Sequence, residues 1–198
     1  MLILASRSRR RQDLLESAGI AFRVVPPETE EAPTAGAAGR YADLVRRAAL
    51  AKAKSVARGR RDIVLGADTI VVCERRVFGK PADRRDARRM LARLSGRWHR
   101  VYTGLALLSG ERYMLGYECT KVAFRPLANR EIGRYVKTGE PLDKAGAYAI
   151  QGRGVFLVRA IRGCYTNVVG LPLPKLLEML AEFKQGAGAA RRLPPGDC

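Results

Sequence analysis

Ile63-Val64-Leu65-Gly66-Ala67-Asp68-Thr69-Ile70-Val71-Val72 is an almost wholly apolar run broken by one carboxylate and one hydroxyl. Its β-branched content reads as a strand buried on both faces. An unpaired carboxylate is costly to desolvate in such a place, so Asp68 needs a partner. No cation lies within the run. The partner therefore comes from another segment, from a metal ion, or from the edge of a cleft into which the strand runs. The competing reading is a turn at Gly66-Ala67-Asp68-Thr69 between two shorter strands.

Working outward, residues 1–5 read as a first strand and Ser8 as the N-cap of a helix over 9–18 that ends at Gly19. Residues 22–25 form a second strand, 26–39 a loop rich in Pro, Gly, Ala and Glu, and 41–58 a long helix that leads to the Asp68 strand. After a loop at Phe78-Gly79-Lys80-Pro81, a helix is predicted over 83–94 and a hairpin of strands over 97–108 and 113–124, turning at Ser109-Gly110-Glu111. Residues 129–137 read as helix, 138–146 as loop, 148–161 as a strand interrupted at Gly152-Arg153-Gly154, and 172–183 as the last helix. Alternating strand and helix predicts an α/β fold, with one domain over residues 1–184. The Gly, Ala, Arg and Pro of 185–198 predict a disordered tail.

With 198 residues the chain is long enough to bury a core, and 47% hydrophobic with 28% charged residues is ordinary for a soluble domain. No apolar stretch approaches a membrane span, and residues 1–6 are too short and wrongly flanked for a signal peptide, so a cytoplasmic location without membrane contact is expected. Cys73, Cys119, Cys164 and Cys198 form no C-x-x-C pair, and with His99 the sole histidine they make no usual zinc site. Reduced thiols are expected, and any metal should be a hard ion held by oxygen, magnesium or manganese. Lys and Arg number 37 against 19 Asp and Glu, a net charge of +18 that favours phosphate-bearing ligands without saying which. Much of it lies in surface-like arginine runs that also fit a solvated face.

Several residues carry candidate chemistry. Ser6-Arg7-Ser8-Arg9-Arg10-Arg11 sits where a strand feeds a helix, whose free N–H groups attract anions, and Arg7, Arg10 and Arg11 have the spacing for their guanidinium groups to converge on phosphate. The plain alternative is an exposed basic first turn. Lys52 falls among the apolar positions Leu44, Ala48 and Ala51, so it either points inward or snorkels from the stripe's edge. Glu28, Glu30 and Glu31 offer a second source of carboxylate oxygen for a cation shared with Asp68. Lys80 precedes the turn-stiffening Pro81, and Gln151 breaks an apolar stretch where a neutral amide can read a base edge. Together these groups supply what hydrolysis of a magnesium-bound triphosphate needs: anchoring, charge neutralisation and an activated water. His99, in the alternating strand Trp98-His99-Arg100-Val101-Tyr102, reads as structural rather than as part of a Ser-His-Asp triad.

Read in order, these segments resemble the Maf family of nucleoside triphosphate pyrophosphatases. The resemblance is carried by Leu4-Ala5-Ser6-Arg7-Ser8-Arg9-Arg10-Arg11, Glu30-Glu31, Ala51-Lys52-Ala53, Gly66-Ala67-Asp68-Thr69, Gly79-Lys80-Pro81, and Leu94-Ser95-Gly96 through Thr103-Gly104. It continues through Gly139-Glu140-Pro141-Leu142-Asp143-Lys144-Ala145-Gly146-Ala147-Tyr148-Ala149-Ile150-Gln151-Gly152 and Asn167-Val168-Val169-Gly170-Leu171-Pro172. It implies a Maf/ITPase-like mixed twisted sheet with flanking helices and two lobes around a central cleft, in a homodimer. It further implies hydrolysis between the α- and β-phosphates to a monophosphate and pyrophosphate, with Asp68 as catalytic base and Glu31 with Asp68 on the divalent ion. Ser8, Arg11, Lys52, Lys80 and Lys144 would bind phosphates or orient the acidic groups. Arg10, Thr69 and Gln151 match the specificity positions of the dTTP/UTP branch, at which the 7-methyl-GTP branch differs. Where the family has Ser-Pro-Arg-Arg this chain has Ser8-Arg9-Arg10-Arg11, which loosens the first helical turn without removing its anion-binding groups. Two other classes compete. A nucleic-acid-binding module would use the net charge, but only 7% of residues are aromatic and the basic residues are spread without interleaved aromatics. A partner-dependent regulator of septum formation and division arrest would need a partner surface, and the sequence shows none.

Overall fold

The computed structural model describes residues 1–28, 39–57 and 62–186. Glu30 and Glu31, and the predicted tail beyond Gly186, lie outside them. The decisive run is one strand: β3 spans Ile63–Cys73 without a turn at Gly66-Ala67-Asp68-Thr69. Around it lie β1 (Leu2–Ala5), β2 (Phe22–Val24), β4 (Arg76–Phe78), β5 (Trp98–Ser109), β6 (Arg112–Phe124) and β7 (Val158–Arg162). They form a seven-stranded mixed sheet in the order β2-β1-β3-β5-β6-β7, with β4 added to β3. β1 runs parallel to both β2 and β3, and the remaining pairings are antiparallel.

Strand alternation splits β3 between the two faces of the sheet. Leu65 and Ala67 pack with α1 (Arg9–Ser17) and α6 (Leu173–Lys184) in one core, while Val71 and Cys73 pack with α3 (Arg84–Leu94) and α4 (Asn129–Lys137) in a second. These two cores are the two lobes. On the opposite face Val64, Ile70 and Val72 pack beneath α2 (Tyr41–Val56). That helix lies close because two strand positions lack a side chain: a Cβ on Gly66 would sit 2.0 Å from the Ala49 carbonyl oxygen, and one on Gly104 2.2 Å from that of Val45.

Three expectations fail. Residues 148–161 are not a strand, because Gly152–Leu157 is a 3-10 segment and pairing begins only at Val158. Here Gly152 takes a positive φ of 64°, and the backbone N–H groups of Arg153 and Gly154 donate to the Glu140 carboxylate instead of to a ladder. A five-residue helix, α5 (Tyr165–Val169), was not anticipated. Cys73 and Cys164 are free thiols as expected, but Cys119 is disulfide-bonded. Among the described residues, no helix is long and apolar enough to cross a membrane.

His99 is structural. It is 2% exposed, its Nε2 lies 2.8 Å from the Tyr148 hydroxyl, and its ring meets Phe124 edge to face. Burial strips water from the imidazolium and lowers the His99 pKa to about 3. The unfolded chain takes up that proton near pH 6.5. Unfolding therefore binds a proton between these values, so this contribution to stability is complete above about pH 6.5 and is lost on acidification, at about 1.4 kcal/mol per pH unit. Urea denaturation at pH 7 and pH 4.5 should show a smaller loss for His99→Gln than for the unaltered protein. For the helix contact, Gly66→Ala should cost about 2 kcal/mol or more, because backbone rather than a flexible side chain must move. A thermal melt within a degree of the unaltered protein would contradict the close approach.

Candidate active site

β1 ends at Ala5, opposite Gly66, and β4 begins pairing only at Val71. On that edge β3 is unpaired from Ala67 to Ile70, and there a cleft of about 520 Å³ opens. It lies beyond the carboxyl ends of the parallel strands, where such sheets commonly bind ligands. Ser6 to Arg11 take the place of the missing neighbour strand. Seven cationic side chains (Arg7, Arg9, Arg10, Arg11, Lys52, Lys80 and Lys144) line the cleft against two carboxylates, Asp68 and Asp143.

Asp68 finds its partner on α2. Lys52 Nζ donates to Asp68 Oδ1 at 2.5 Å, both side chains being nearly buried at 11% and 13% exposure. Lys52 thus points inward rather than snorkelling, and the pair leaves the second Asp68 oxygen for water or a cation.

Ser8 is the N-cap residue of α1, and its side chain makes no capping hydrogen bond to the first turn, which begins beside the cleft. The anticipated convergence of three guanidinium groups is not what the structure shows. Arg7 precedes the helix and is exposed, and Arg10 reaches out to Asp143 at 3.5 Å. Arg11, 8% exposed, turns inward and donates to Gly170 O, Ser6 Oγ, Ala67 O and Thr69 Oγ1 at 2.8 to 3.1 Å. It fastens the first loop to the unpaired edge of β3 and to the end of α5. Lys144 donates to Glu140 O and Asp143 Oδ1, both at 2.5 Å. Burial pushes the Asp143 carboxyl up, but the Lys144 ammonium and the Arg10 guanidinium outweigh it and hold it below the ordinary range. The loop that carries Lys80 is tied to the Lys144 loop through Gly146 N and Gly79 O at 3.0 Å.

Gln151 lines the cleft at the start of the 3-10 segment. The residue that places it was not singled out from the sequence. Glu140 accepts from the Tyr135 hydroxyl at 2.9 Å and from Arg153 N and Gly154 N at 3.0 Å each. Burial raises the Tyr135 phenol and keeps it a donor. Sequence reading also gave no role to Thr103 or Asn167. Their signal was a polar residue inside an apolar segment, the same signal that marked Asp68.

Asp68, Ser8, Arg10, Arg11, Lys52, Thr69, Lys80, Lys144 and Gln151 therefore all border one cleft. Glu31 lies outside the described residues, and among those described no three His, Cys, Asp or Glu side chains cluster to hold a metal. Asp68 is a single hard oxygen donor. That fits a cation which arrives with a phosphate ligand, since magnesium is commonly held by one or two carboxylates together with substrate phosphates.

The family model described as Maf-like protein matches residues 1–183, almost the whole described chain. The chain belongs to the Maf family. Among curated Maf-family relatives, the dTTP/UTP pyrophosphatase of Symbiobacterium thermophilum is 54% identical over 92% of this chain and 93% of its own. That of Bacillus cytotoxicus is 50% identical over 95% and 98%. Of solved structures, the Ham1 protein of Staphylococcus aureus covers 94% of this chain and 99% of its own at a TM-score of 0.52 and 11% identity, which speaks for the fold alone.

Glu140→Ala should cost about 2–4 kcal/mol, because it strands a buried phenol and the half-buried Gly154 N–H. Glu140→Gln, which retains one acceptor, should cost clearly less. Equal denaturation midpoints for the two variants would show that the carboxylate does not hold the Gln151 turn.

Proposed function

We propose that this chain is a nucleoside triphosphate pyrophosphatase that hydrolyses dTTP and UTP to the monophosphate and pyrophosphate. The observation that carries the reading is the Asp68–Lys52 pair on the unpaired edge of β3, facing an uncapped helix start and a cationic rim. The kinship with relatives named dTTP/UTP pyrophosphatase, near half identical over almost the full length, supplies the substrate class.

In this reading Lys80, Lys144, Arg10 and the first-turn N–H groups of α1 bind the phosphates and lower the repulsion that an incoming nucleophile meets. Asp68 takes a proton from water, and the oxygen attacks the α-phosphorus. The bond to the bridging oxygen breaks, and pyrophosphate leaves with the electron pair. Lys52 keeps the Asp68 carboxylate oriented toward the cleft. A magnesium or manganese ion, held by Asp68 and by Glu31 as the resemblance implies, would neutralise phosphate charge. Thr69, Arg10 and Gln151 would read the base. The family resemblance also carries the proposals of a homodimer, a cytoplasmic location, and a house-cleaning or division-arrest role.

The test is a panel of dTTP, UTP, CTP, GTP and 7-methyl-GTP with magnesium or manganese, scoring pyrophosphate against orthophosphate. Pyrophosphate should appear fastest from dTTP and UTP, and chelation should abolish it. Asp68→Asn should lower kcat at least 100-fold with a small change in KM, about 3 kcal/mol of transition-state stabilisation. A near-normal rate in that variant removes Asp68 from the chemistry.

A further inference from the structure

Resting on that reading, we infer that Thr103, which does not line the cleft, sets the base preference by fixing which way the Thr69 hydroxyl points its proton. Thr69 Oγ1 lies 3.0 Å from Thr103 Oγ1, and either oxygen can be the donor. The surroundings decide between them. Thr103 Oγ1 is 3.3 Å from the backbone carbonyl of Asn167, which can only accept. Thr103 and Asn167 are both fully buried, and the next free backbone donors, Gly170 N and Leu171 N, both go to Thr166 O. If Thr103 gave its single proton to Thr69 instead, the Asn167 carbonyl would be stranded in the core. Asn167 does not shift to relieve this, because its side-chain amide donates to Val101 O at 3.0 Å and to Thr120 Oγ1 at 2.9 Å.

Thr103 is therefore donor to Asn167 and acceptor from Thr69. A hydroxyl has one proton and two lone pairs. The Thr69 proton goes to Thr103, and one lone pair takes the 3.1 Å bond from the Arg11 guanidinium. The function left for an occupant of the cleft, which Thr69 lines, is an acceptor. On the pairing edge of uracil and thymine the one donor is the ring N3–H, flanked by two carbonyl oxygens. Cytosine presents a lone pair at that nitrogen and carries its one donor on the neighbouring 4-amino group, so the discrimination applies to an acceptor held opposite N3. An acceptor locked in place pairs with the first and repels the second, and a site built to pair one polar group discriminates strongly against its absence. Thr103 is a positioning residue acting through Thr69.

The experiment compares kcat/KM for UTP and CTP in the unaltered protein, Thr103→Val and Thr103→Ser. The unaltered protein should favour UTP. Thr103→Val frees the Thr69 proton to turn toward the cleft and should compress the UTP:CTP ratio about tenfold or more, while kcat for UTP stays within about threefold. Thr103→Ser, which restores the acceptor, should restore the ratio. A merely structural role would lower both substrates together. Should Thr103→Val not fold, the unaltered protein decides with the pyrimidin-2-one ribonucleoside triphosphate, which keeps the N3 lone pair and carries nothing at C4. Rejection like that of CTP supports the locked acceptor, and turnover equal to that of UTP overturns it. An unchanged ratio in a folded Thr103→Val with active parent protein overturns this inference alone. Absence of pyrophosphate from both dTTP and UTP in the unaltered protein overturns the functional reading and this inference with it.

Discussion

The structure turns on how closely α2 approaches the sheet. A helix packed on a sheet through ordinary side chains is held off by them. Here Gly66 on β3 and Gly104 on β5, offset by two positions in the register because Gly104 lies opposite Asp68, let the helix backbone at Ala49 and Val45 rest against the strands. At that distance a lysine one turn along the helix reaches a carboxylate in the strand with a nearly buried bond. A charge pair this poorly solvated gives little net stability, because desolvation offsets much of the attraction, whereas losing either partner leaves the other charge unmatched. The pair is thus better understood as a constraint than as a staple. The glycines place it, and it in turn holds a carboxylate on a strand edge that would otherwise reject one.

The same edge explains why the cleft is where it is. A strand of eleven residues flanked on one side by two short strands has a middle with no ladder partner. Backbone groups left open there must be satisfied. Arg11 does this by donating to Ala67 O, and with its remaining bonds it joins the first loop, Thr69 and Gly170. One buried guanidinium fork thereby replaces a strand, and it leaves a cavity where a strand would have filled the space.

Much of this was legible in the sequence. The helix over 129–137 matches α4 residue for residue, and the hairpin matches β5 and β6 to within a residue or two, because periodicity and turn chemistry agree there. The Asp68 run was also readable, since a carboxylate among β-branched residues has few places to go. The failures have separate causes. Residues 148–161 have the apolar content of a strand, but a distant carboxylate, Glu140, captures the backbone donors, and no local pattern reports a partner more than ten residues away. Helix α5 is too short for its period to show. Arg11 looked like Arg10 because adjacent arginines are indistinguishable until the helix phase assigns one inward and one outward. The net charge gave the sign of the ligand and nothing of its identity.

Asp68 and Thr69 are neighbours in sequence, yet on a strand consecutive side chains leave opposite faces. Asp68 turns to α2 and Lys52, and Thr69 turns to α1, β5 and α5 through Arg11 and Thr103. The pleat therefore separates a charged pair suited to chemistry from a hydrogen-bonded chain suited to recognition, though both border one cleft. The two sets share no side-chain partner among the bonds described. Changes to the hydroxyl chain on one face can then alter which ligand is held without disturbing the carboxylate on the other, as coupling between sites falls where no partner is shared.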